Sequence, residues 1–154
     1  MGFAQHVQEY CEQFGYIVED AEWRGGLDHL KLADMAWLKK GLSQASGIIA
    51  GLMNERETKV GRRNQILFVL GKISKRVFHV TEVETLVREN FPASTAETTL
   101  AVGQILSELS SGENSIIKRS AKGPTYEFKD ARFAMALRVL LEKDAVKEKV
   151  TKVD

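Results

Sequence analysis

The chain has 154 residues, with 44% apolar and 28% charged side chains, a composition typical of one folded domain with a buried core. Its 22 basic and 21 acidic residues nearly balance, which excludes a strongly basic nucleic-acid coat protein and an acidic tail protein. The single cysteine, Cys11, excludes an internal disulfide framework and a cysteine-based zinc finger.

The sequence carries no sign of a membrane or secretory segment. No stretch approaches the roughly 18 consecutive apolar residues of a membrane-spanning helix. The first residues, MGFAQHVQEYCEQ, lack the basic start and apolar run of a signal peptide. We therefore expect a cytoplasmic protein without a membrane partner, found at the nucleoid or in the nucleus if it binds DNA.

The first third of the chain predicts a helical extension over residues 1–58. Apolar residues at helical spacing predict a first helix over residues 2–14, which Gly15 would end. After a loop, helical spacing resumes over residues 27–56, with a break near Ser46. Residues 1–56 hold five basic and eight acidic residues, so this extension is acidic.

The middle of the chain predicts three more helices and a short extended link. A helical pattern covers residues 61–74, and an extended link follows at residues 78–80. Two capping boxes, in which Thr or Ser is followed three residues later by Glu, predict helix starts at Thr81 and Ser94. The second of these helices would continue to Leu109.

The pattern then changes to strand-like alternation. Residues 115–119 and 125–128 predict a β-hairpin with a basic tip, SAKGP. Asp130 is suited to cap a closing helix. The segment 59–143 thus forms the main predicted domain, and the charged residues 144–154 predict a disordered tail.

The order of elements over residues 61–128 resembles a winged helix-turn-helix domain. The resemblance is carried by the segments NQILFVLGKI, FHVTEVETLV, STAETTLAVGQILSEL and IIKRSAKGPTYEF. The following KDARFAMALRVLL resembles the closing helix of the winged helix that is C-terminal to P-loop ATPases of the origin-recognition and STAND type. The resemblance implies a mainly α fold with a small β-hairpin, in which a winged helix-turn-helix follows a helical extension.

The sequence departs from those ATPases in one decisive respect. No G-x-x-x-x-G-K-[ST] motif occurs, so this chain has no phosphate-binding loop of that kind. If the resemblance to that branch holds, the chain is a detached winged helix or the C-terminal piece of a larger ATPase.

A winged helix that binds DNA places its second capped helix in the major groove and its wing on the adjacent backbone. Cations that would contact phosphates lie in the wing and around the first helix of the domain: Lys118, Arg119, Lys122, Arg62, Arg63, Lys75 and Arg76. Thr98, Thr99 and Gln104 would lie nearest the bases. The first hypothesis is therefore a non-catalytic module that binds double-stranded DNA, mostly through its backbone, in regulation or assembly.

The second hypothesis is a winged helix that binds protein. The predicted helix from Ser94 to Leu109 has no Lys or Arg, and its outward face would present Glu97 and Leu100. A protein partner or a second copy of the chain would dock on this helix or on the N-terminal helices. The N-terminal helices contain the aromatic residues Tyr10, Phe14, Trp23 and Trp37.

No arrangement of residues in the sequence predicts catalysis. His6, His29 and His79 lie far apart and have no metal-ligand spacing. Cys11 lies on the apolar stripe of the first helix, which indicates a buried, unreactive thiol. We expect no enzymatic activity, no metal and no cofactor.

Overall fold

The structure is a computed structural model that describes residues 3–54, 61–121 and 123–153. It is mainly helical with two small antiparallel sheets, as the sequence predicts for the helices and the hairpin. The helices are α1 (Phe3–Asp20), α2 (Leu27–Lys40), α3 (Ser43–Leu52), α4 (Arg62–Leu70), α5 (Val80–Asn90), α6 (Pro92–Thr95), α7 (Val102–Leu109) and α8 (Ala131–Leu140). The strands are β1 (Val77–His79), β2 (Ile117–Arg119), β3 (Thr125–Phe128), β4 (Leu141–Lys143) and β5 (Val150–Lys152).

The larger sheet has the strand order β1-β3-β2, with the predicted hairpin as its β2 and β3 strands. On the central strand β3, Glu127 lies opposite Val77 of β1 and opposite Lys118 of β2. Its neighbour Tyr126 lies opposite Phe78, and both rings are buried. Because alternate residues of a strand face opposite sides, this register gives the sheet one buried face and one outward face.

The core lies between the larger sheet and helices α3, α4, α5, α7 and α8. Each fully buried aliphatic side chain contributes roughly 1.5–3 kcal/mol relative to an exposed one. The largest fully buried side chains are Phe78, Phe91, Leu42, Ile49, Ile66, Leu67, Leu70, Leu106, Leu109, Ile116, Ile117 and Leu137. α4 and α8 approach so closely that a Cβ on Gly71 would lie 3.1 Å from the backbone nitrogen of Arg138, so this position favours glycine.

The first helix is longer than predicted. α1 continues through Gly15 to Asp20 and packs mainly against α2, because Val18 extends its apolar face and lies against the turn at Gly25. The prediction that Cys11 is buried is wrong. α1 turns Tyr10 toward α2, where its ring makes an edge contact with Trp37, and the next residue therefore points about 100° away, into solvent.

The break between the next two helices also differs from the prediction. It lies at Gly41 and Leu42, before α3, and Ser46 is inside α3. Leu42 is fully buried and anchors the turn between α2 and α3 in the core. Burial of this leucine therefore sets the position of the break, and the small residues near Ser46 continue as helix.

The helix predicted from Ser94 to Leu109 is interrupted. α6 ends at Thr95, Glu97 and Ala101 have positive φ angles of 54° and 51°, and α7 begins only at Val102. Leu100 is buried in the core, so it does not lie on the outward surface that was predicted. Its burial requires the chain to turn inward between α6 and α7, which a continuous helix would not allow.

Helix α5 begins two residues earlier than predicted. His79 caps α5, since its Nδ1 accepts from the backbone N–H of Thr81 at 3.2 Å. The Glu82 carboxylate completes the capping box by accepting the backbone N–H of His79 at 3.0 Å. A capping box is therefore present, but its members are His79 and Glu82, and Thr81 lies within the first turn of the helix.

The prediction of a disordered C-terminal tail is wrong for residues 144–153. β5 pairs with β4, and Val150 is buried in the core. The Glu148 carboxylate accepts the backbone N–H groups of Ala93 at 3.1 Å and Ser94 at 2.7 Å, at the start of α6. The segment is ordered because one apolar residue and one carboxylate find partners that are distant in sequence.

Candidate nucleic-acid interface

The outward face of the larger sheet brings together cations from two separate segments of the chain. The Lys118 Nζ lies 2.9 Å from one carboxylate oxygen of Glu127, and the Arg76 Nε lies 3.5 Å from the other. Lys118 belongs to β2 and Arg76 directly precedes β1, so the two cations reach Glu127 from opposite sides of the central strand. Two of the predicted phosphate-binding residues thus share one surface.

Glu127 is ionised and partly neutralises this face. The hydrogen bond from Lys118 is the main cause that lowers the pKa of Glu127 below its usual value, and the charge of Arg76 adds to it, against an opposing contribution from burial. Arg76 keeps 85% of its side chain exposed, and Lys118 is also exposed. Both cations remain accessible to an incoming anion.

Lys75 and Arg119 lie near this face but not on it, since Arg119 is next to Lys118 on β2 and alternate residues of a strand face opposite sides. Lys75 pairs with Glu82, its Nζ 2.6 Å from a carboxylate oxygen, and this hydrogen bond is the largest cause that lowers the pKa of Glu82. Arg119 ends β2 opposite Tyr126 and is exposed. Lys122, the third predicted cation of the hairpin, lies outside the described residues.

Arg62 and Arg63 do not join this face. They begin α4, whereas Lys75 and Arg76 follow its other end, and α4 is about 13 Å long. The Arg62 guanidinium donates to Gln65 Oε1 at 2.7 Å and to the carbonyl of Ser94 at 2.9 Å. Burial is the main cause that lowers its pKa. These bonds tie α4 to α6, a structural role.

α7 presents few groups to an anion. Arg63 forms an ion pair with Glu108, and Gln104 is exposed with its amide 3.4 Å from that same glutamate. Thr98 and Thr99 are exposed, but they lie in the connection before α7 and not on a helix. The three residues predicted nearest the bases therefore lie on α7 and the segment leading into it.

A basic groove that the sequence does not predict lies beside the sheet. The groove has a volume of about 720 Å³ and lies between the segment after α4 and the start of α8. Its charged lining residues are Lys75, Arg76, Lys129, Arg138 and a single acid, Asp130. Lys129 directly follows the predicted hairpin, but only the folded chain places Arg138 beside it.

Arg138 and Lys129 are held in position by hydrogen bonds. Arg138 donates to the carbonyls of Gly71 and Ile73, and Lys129 donates to the Ser115 hydroxyl. Asp130 caps α8 by accepting the N–H of Arg132 at 2.9 Å, which confirms the predicted cap. The groove is therefore a fixed positive surface continuous with Lys75 and Arg76.

Within the described ranges, no group of three His, Cys, Asp or Glu side chains has the arrangement of a metal site. Nor does any helix of this part of the chain have the length and apolar character needed to cross a bilayer. Comparison with protein-family models, with curated proteins and with solved structures found no match to this chain.

Proposed function

We propose that the protein is a non-catalytic winged-helix module that binds double-stranded DNA, in regulation or assembly inside the cell. The observed order α4, β1, α5, α6, α7, β2 and β3 supports this proposal, because apart from the four-residue α6 it is the order that the resemblance implies. In this proposal the β2–β3 hairpin is the wing, and α7 is the helix that approaches the major groove.

One observation carries the proposal: cations from two distant segments meet on the outward face of the sheet. Arg76 and Lys118 flank Glu127 there, and the basic groove extends the positive surface through Lys129 and Arg138. DNA carries one negative charge per 3.4 Å of each strand, so two cations that flank one carboxylate can contact neighbouring phosphates. Such contacts give affinity without sequence information.

Helix α7 has few side chains that could recognise bases, so the proposal assigns most of the affinity to contacts with the DNA backbone. It contains no Lys or Arg, and Gln104 is its one exposed amide. Glutamine can pair with both edge atoms of adenine in the major groove. We therefore expect weak sequence preference that depends on Gln104, Thr98 and Thr99, on top of backbone binding by the wing and the basic groove.

Removal of the wing cations tests this proposal. The triple substitution Lys118→Ala, Arg119→Ala and Lys122→Ala should weaken duplex binding at 50 mM salt by at least about tenfold, equally for different sequences. Fluorescence anisotropy with labelled 20-base-pair duplexes measures the effect. The control replaces Lys31, Lys39 and Lys147, three exposed lysines outside the sheet, with alanine. Equal losses in the two triple variants would contradict the proposed interface.

The second candidate function is docking of a protein partner or of a second copy of the chain, either as a free module or as the C-terminal piece of a larger ATPase. It is favoured by the turn between α1 and α2, where Trp23 is 72% exposed, and by the first residue of α2, Leu27, which is 79% exposed. Tyr16 and Leu32 on the adjoining helices are also exposed. Sedimentation at rising concentration distinguishes the two functions, because self-association that Trp23→Ala abolishes would favour docking.

A further inference from the structure

The floor of the basic groove is apolar, a property that contact with DNA phosphates does not require. Phe128, Ala134 and Met135 line the groove, and each is only half-buried, so these side chains remain partly accessible. The groove volume of about 720 Å³ lies within the roughly 300–1,000 Å³ of sites that hold organic ligands, which leaves room for an indole ring. An apolar floor inside a basic rim suits a ligand that combines an aromatic side chain with carboxylates.

The two cations that the groove receives from Lys129 and Arg138 keep their charge available to such a ligand. Lys129 donates to a hydroxyl and Arg138 to two backbone carbonyls, so their partners are neutral oxygens, and both side chains are exposed. The one acid of the lining, Asp130, already pairs with Arg132, whose guanidinium lies 2.6 Å from its carboxylate. The groove therefore attracts acidic groups.

The turn between α1 and α2 carries the matching chemistry. Residues 19–28, which we call the α1–α2 tip, include four acids and one base, and all five of these side chains are exposed: Glu19, Asp20, Glu22, Asp28 and Arg24. Trp23 lies among them and is 72% exposed. The groove lining has the opposite balance, with four bases and one acid. The tip and the groove are thus complementary in charge, and one offers the aromatic ring that the other can hold.

The fold of the single chain does not account for the position of Trp23. The φ angles of Glu22 and Trp23 are 52° and 63°, a left-handed conformation that is unfavourable for residues other than glycine. The backbone N–H of Trp23 donates to the carbonyl of Val18 at 2.8 Å, which closes the end of α1 and leaves the indole in solvent. Tyr16 and Leu27, on the two helices that the turn connects, are also exposed. A strained turn that holds apolar side chains in solvent indicates a contact outside the chain.

The α1–α2 tip does not reach the basic groove of its own chain. Helix α2 begins at the tip and is about 21 Å long, and its other end, at Lys40 and Gly41, lies near Arg132 at the start of α8. The groove is at that same end of α8. The tip that fills a groove must therefore come from another copy of the chain.

We propose that the basic groove binds the α1–α2 tip of a second copy of the chain. The Trp23 indole lies on the apolar floor with the Arg138 guanidinium against its ring, and the tip carboxylates pair with the cations of the rim. Because the contact joins two different surfaces, it is heterologous, and copies associate head to tail or close into a ring. A buried tryptophan contributes roughly 150–250 Å², against about 800 Å² per partner in a stable interface, so the association is weak and reversible.

This docking regulates the DNA-binding surface, a consequence that rests on the proposed function. Lys75 and Arg76 belong to the groove lining, and they contact either the carboxylates of a docked tip or the phosphates of a duplex. Binding of a second copy and binding of DNA are therefore mutually exclusive at this groove. The protein without DNA is self-associated at high concentration, and a duplex releases it.

Sedimentation velocity of the full chain without DNA tests the docking itself. At 50 mM salt the weight-average mass should rise between about 10 μM and about 1 mM protein, and the rise should be smaller at 200 mM salt because charges contribute to the contact. Trp23→Ala removes the ring from the tip and should stay monomeric. Ala134→Glu adds bulk and a negative charge to the groove floor and should also stay monomeric.

A mixture of these two variants distinguishes the proposed contact from a contact between two Trp23 turns. Trp23→Ala keeps an intact groove and Ala134→Glu keeps an intact tip, so the mixture should form a one-to-one complex although neither variant associates alone. Val146→Ala removes an apolar side chain that is 92% exposed in the turn between β4 and β5, and as the control it should associate like the unsubstituted protein. Arg76→Glu, at a side chain 85% exposed, replaces Ala134→Glu if far-UV circular dichroism shows that the latter is unfolded.

Three sedimentation results would overturn the docking: an unsubstituted protein that is monomeric over the whole range, equal self-association in Trp23→Ala, and a variant mixture that stays monomeric. Fluorescence anisotropy of a labelled duplex with monomeric Trp23→Ala separately tests the DNA function, since this variant retains the whole proposed DNA-binding surface. If it binds, duplex added to the unsubstituted protein should dissolve the assemblies, and assemblies that persist with duplex bound would refute the competition. If it does not bind, the proposed function fails, and the sedimentation results alone decide the docking.

Discussion

Glu127 limits the positive charge that the outward face of the sheet offers to a ligand. Its carboxylate pairs with both Arg76 and Lys118, and its lowered pKa keeps it ionised at neutral pH. To contact DNA, these cations must break their ion pairs with Glu127 and bind phosphate oxygens instead. One acidic residue therefore opposes the proposed function at the centre of the proposed site.

Glu127→Gln should strengthen DNA binding. The substitution removes the competing charge and leaves both cations free, so we expect an increase in duplex affinity of about threefold to tenfold at 50 mM salt, and a smaller increase at 200 mM. Anisotropy titration measures it. Glu142→Gln, on an exposed position of β4, makes the same change in net charge at a distance. An equal gain in Glu142→Gln would mean that net charge alone, and not this face, governs binding.

Glu148 joins the C-terminal segment to the start of α6 through two backbone hydrogen bonds. Burial alone would raise its pKa, but hydrogen bonds from the backbone N–H groups of Ser94 and Ala93 outweigh burial and lower it. A carboxyl with a lowered pKa stabilises the fold above its unfolded pKa of about 4.3, and this contribution is lost as pH falls through the folded value. Its stabilising effect is therefore complete at neutral pH.

Glu148→Gln should lower the free energy of unfolding by about 1–3 kcal/mol at pH 7, because two backbone donors lose a charged acceptor. The difference from the unsubstituted protein should shrink below about pH 4.3. Urea denaturation at pH 7 and pH 3.5 measures both effects. An equal difference in the free energy of unfolding at the two pH values would contradict this account, because it would mean that the charge of Glu148 does not contribute to its bonds with Ala93 and Ser94.

Among the helices and strands, local sequence patterns correctly predicted the elements whose position depends on neighbouring residues. The β2–β3 hairpin follows from alternation around a glycine-proline turn, and the start of α8 follows from Asp130 as its cap. Local patterns did not predict the elements whose position depends on contacts between residues distant in sequence. The predicted helix is interrupted before α7 because Leu100 is buried in the core. Strand β5 is ordered because Val150 is buried against other elements.

The same limit applies to the candidate site. The cations at residues 75–76 and 118–119 were predicted, but their meeting around Glu127 depends on strand register, which the sequence does not specify. Arg138 lies ten residues beyond the hairpin and joins the basic groove only through the packing of α8 on α4. Helical spacing alone assigns such a residue to an ordinary exposed face.

The start of α7 offers a test of the interrupted helix. Ala101 has a φ angle of 51°, a left-handed conformation that costs an L-residue about 1–2 kcal/mol and glycine little. Ala101→Gly should therefore stabilise the protein by about 1 kcal/mol. Ala134→Gly, the same substitution inside α8, should destabilise it by about 0.5–1 kcal/mol. A loss of stability in Ala101→Gly, read from urea midpoints, would argue for a continuous helix.

Across the whole molecule, charge is divided between two regions. Residues 1–56 carry an excess of acidic side chains, and residues 57–76 hold six basic residues and one acid. The α1–α2 hairpin would be repelled by DNA, so a bound duplex must lie on the side of the sheet and the basic groove. Electrostatics thus orients the molecule in the proposed complex, with the exposed Trp23 turn left free.

The salt dependence of duplex affinity tests the central claim most directly. Four phosphate contacts, from Arg76, Lys118, Arg119 and Lys122, predict that the logarithm of the association constant falls with the logarithm of salt at a slope of about −3.6. Affinity should then drop by about 150-fold between 50 and 200 mM salt. Absence of measurable binding at 50 mM salt, or binding that does not change over this range, would contradict a backbone-binding winged helix.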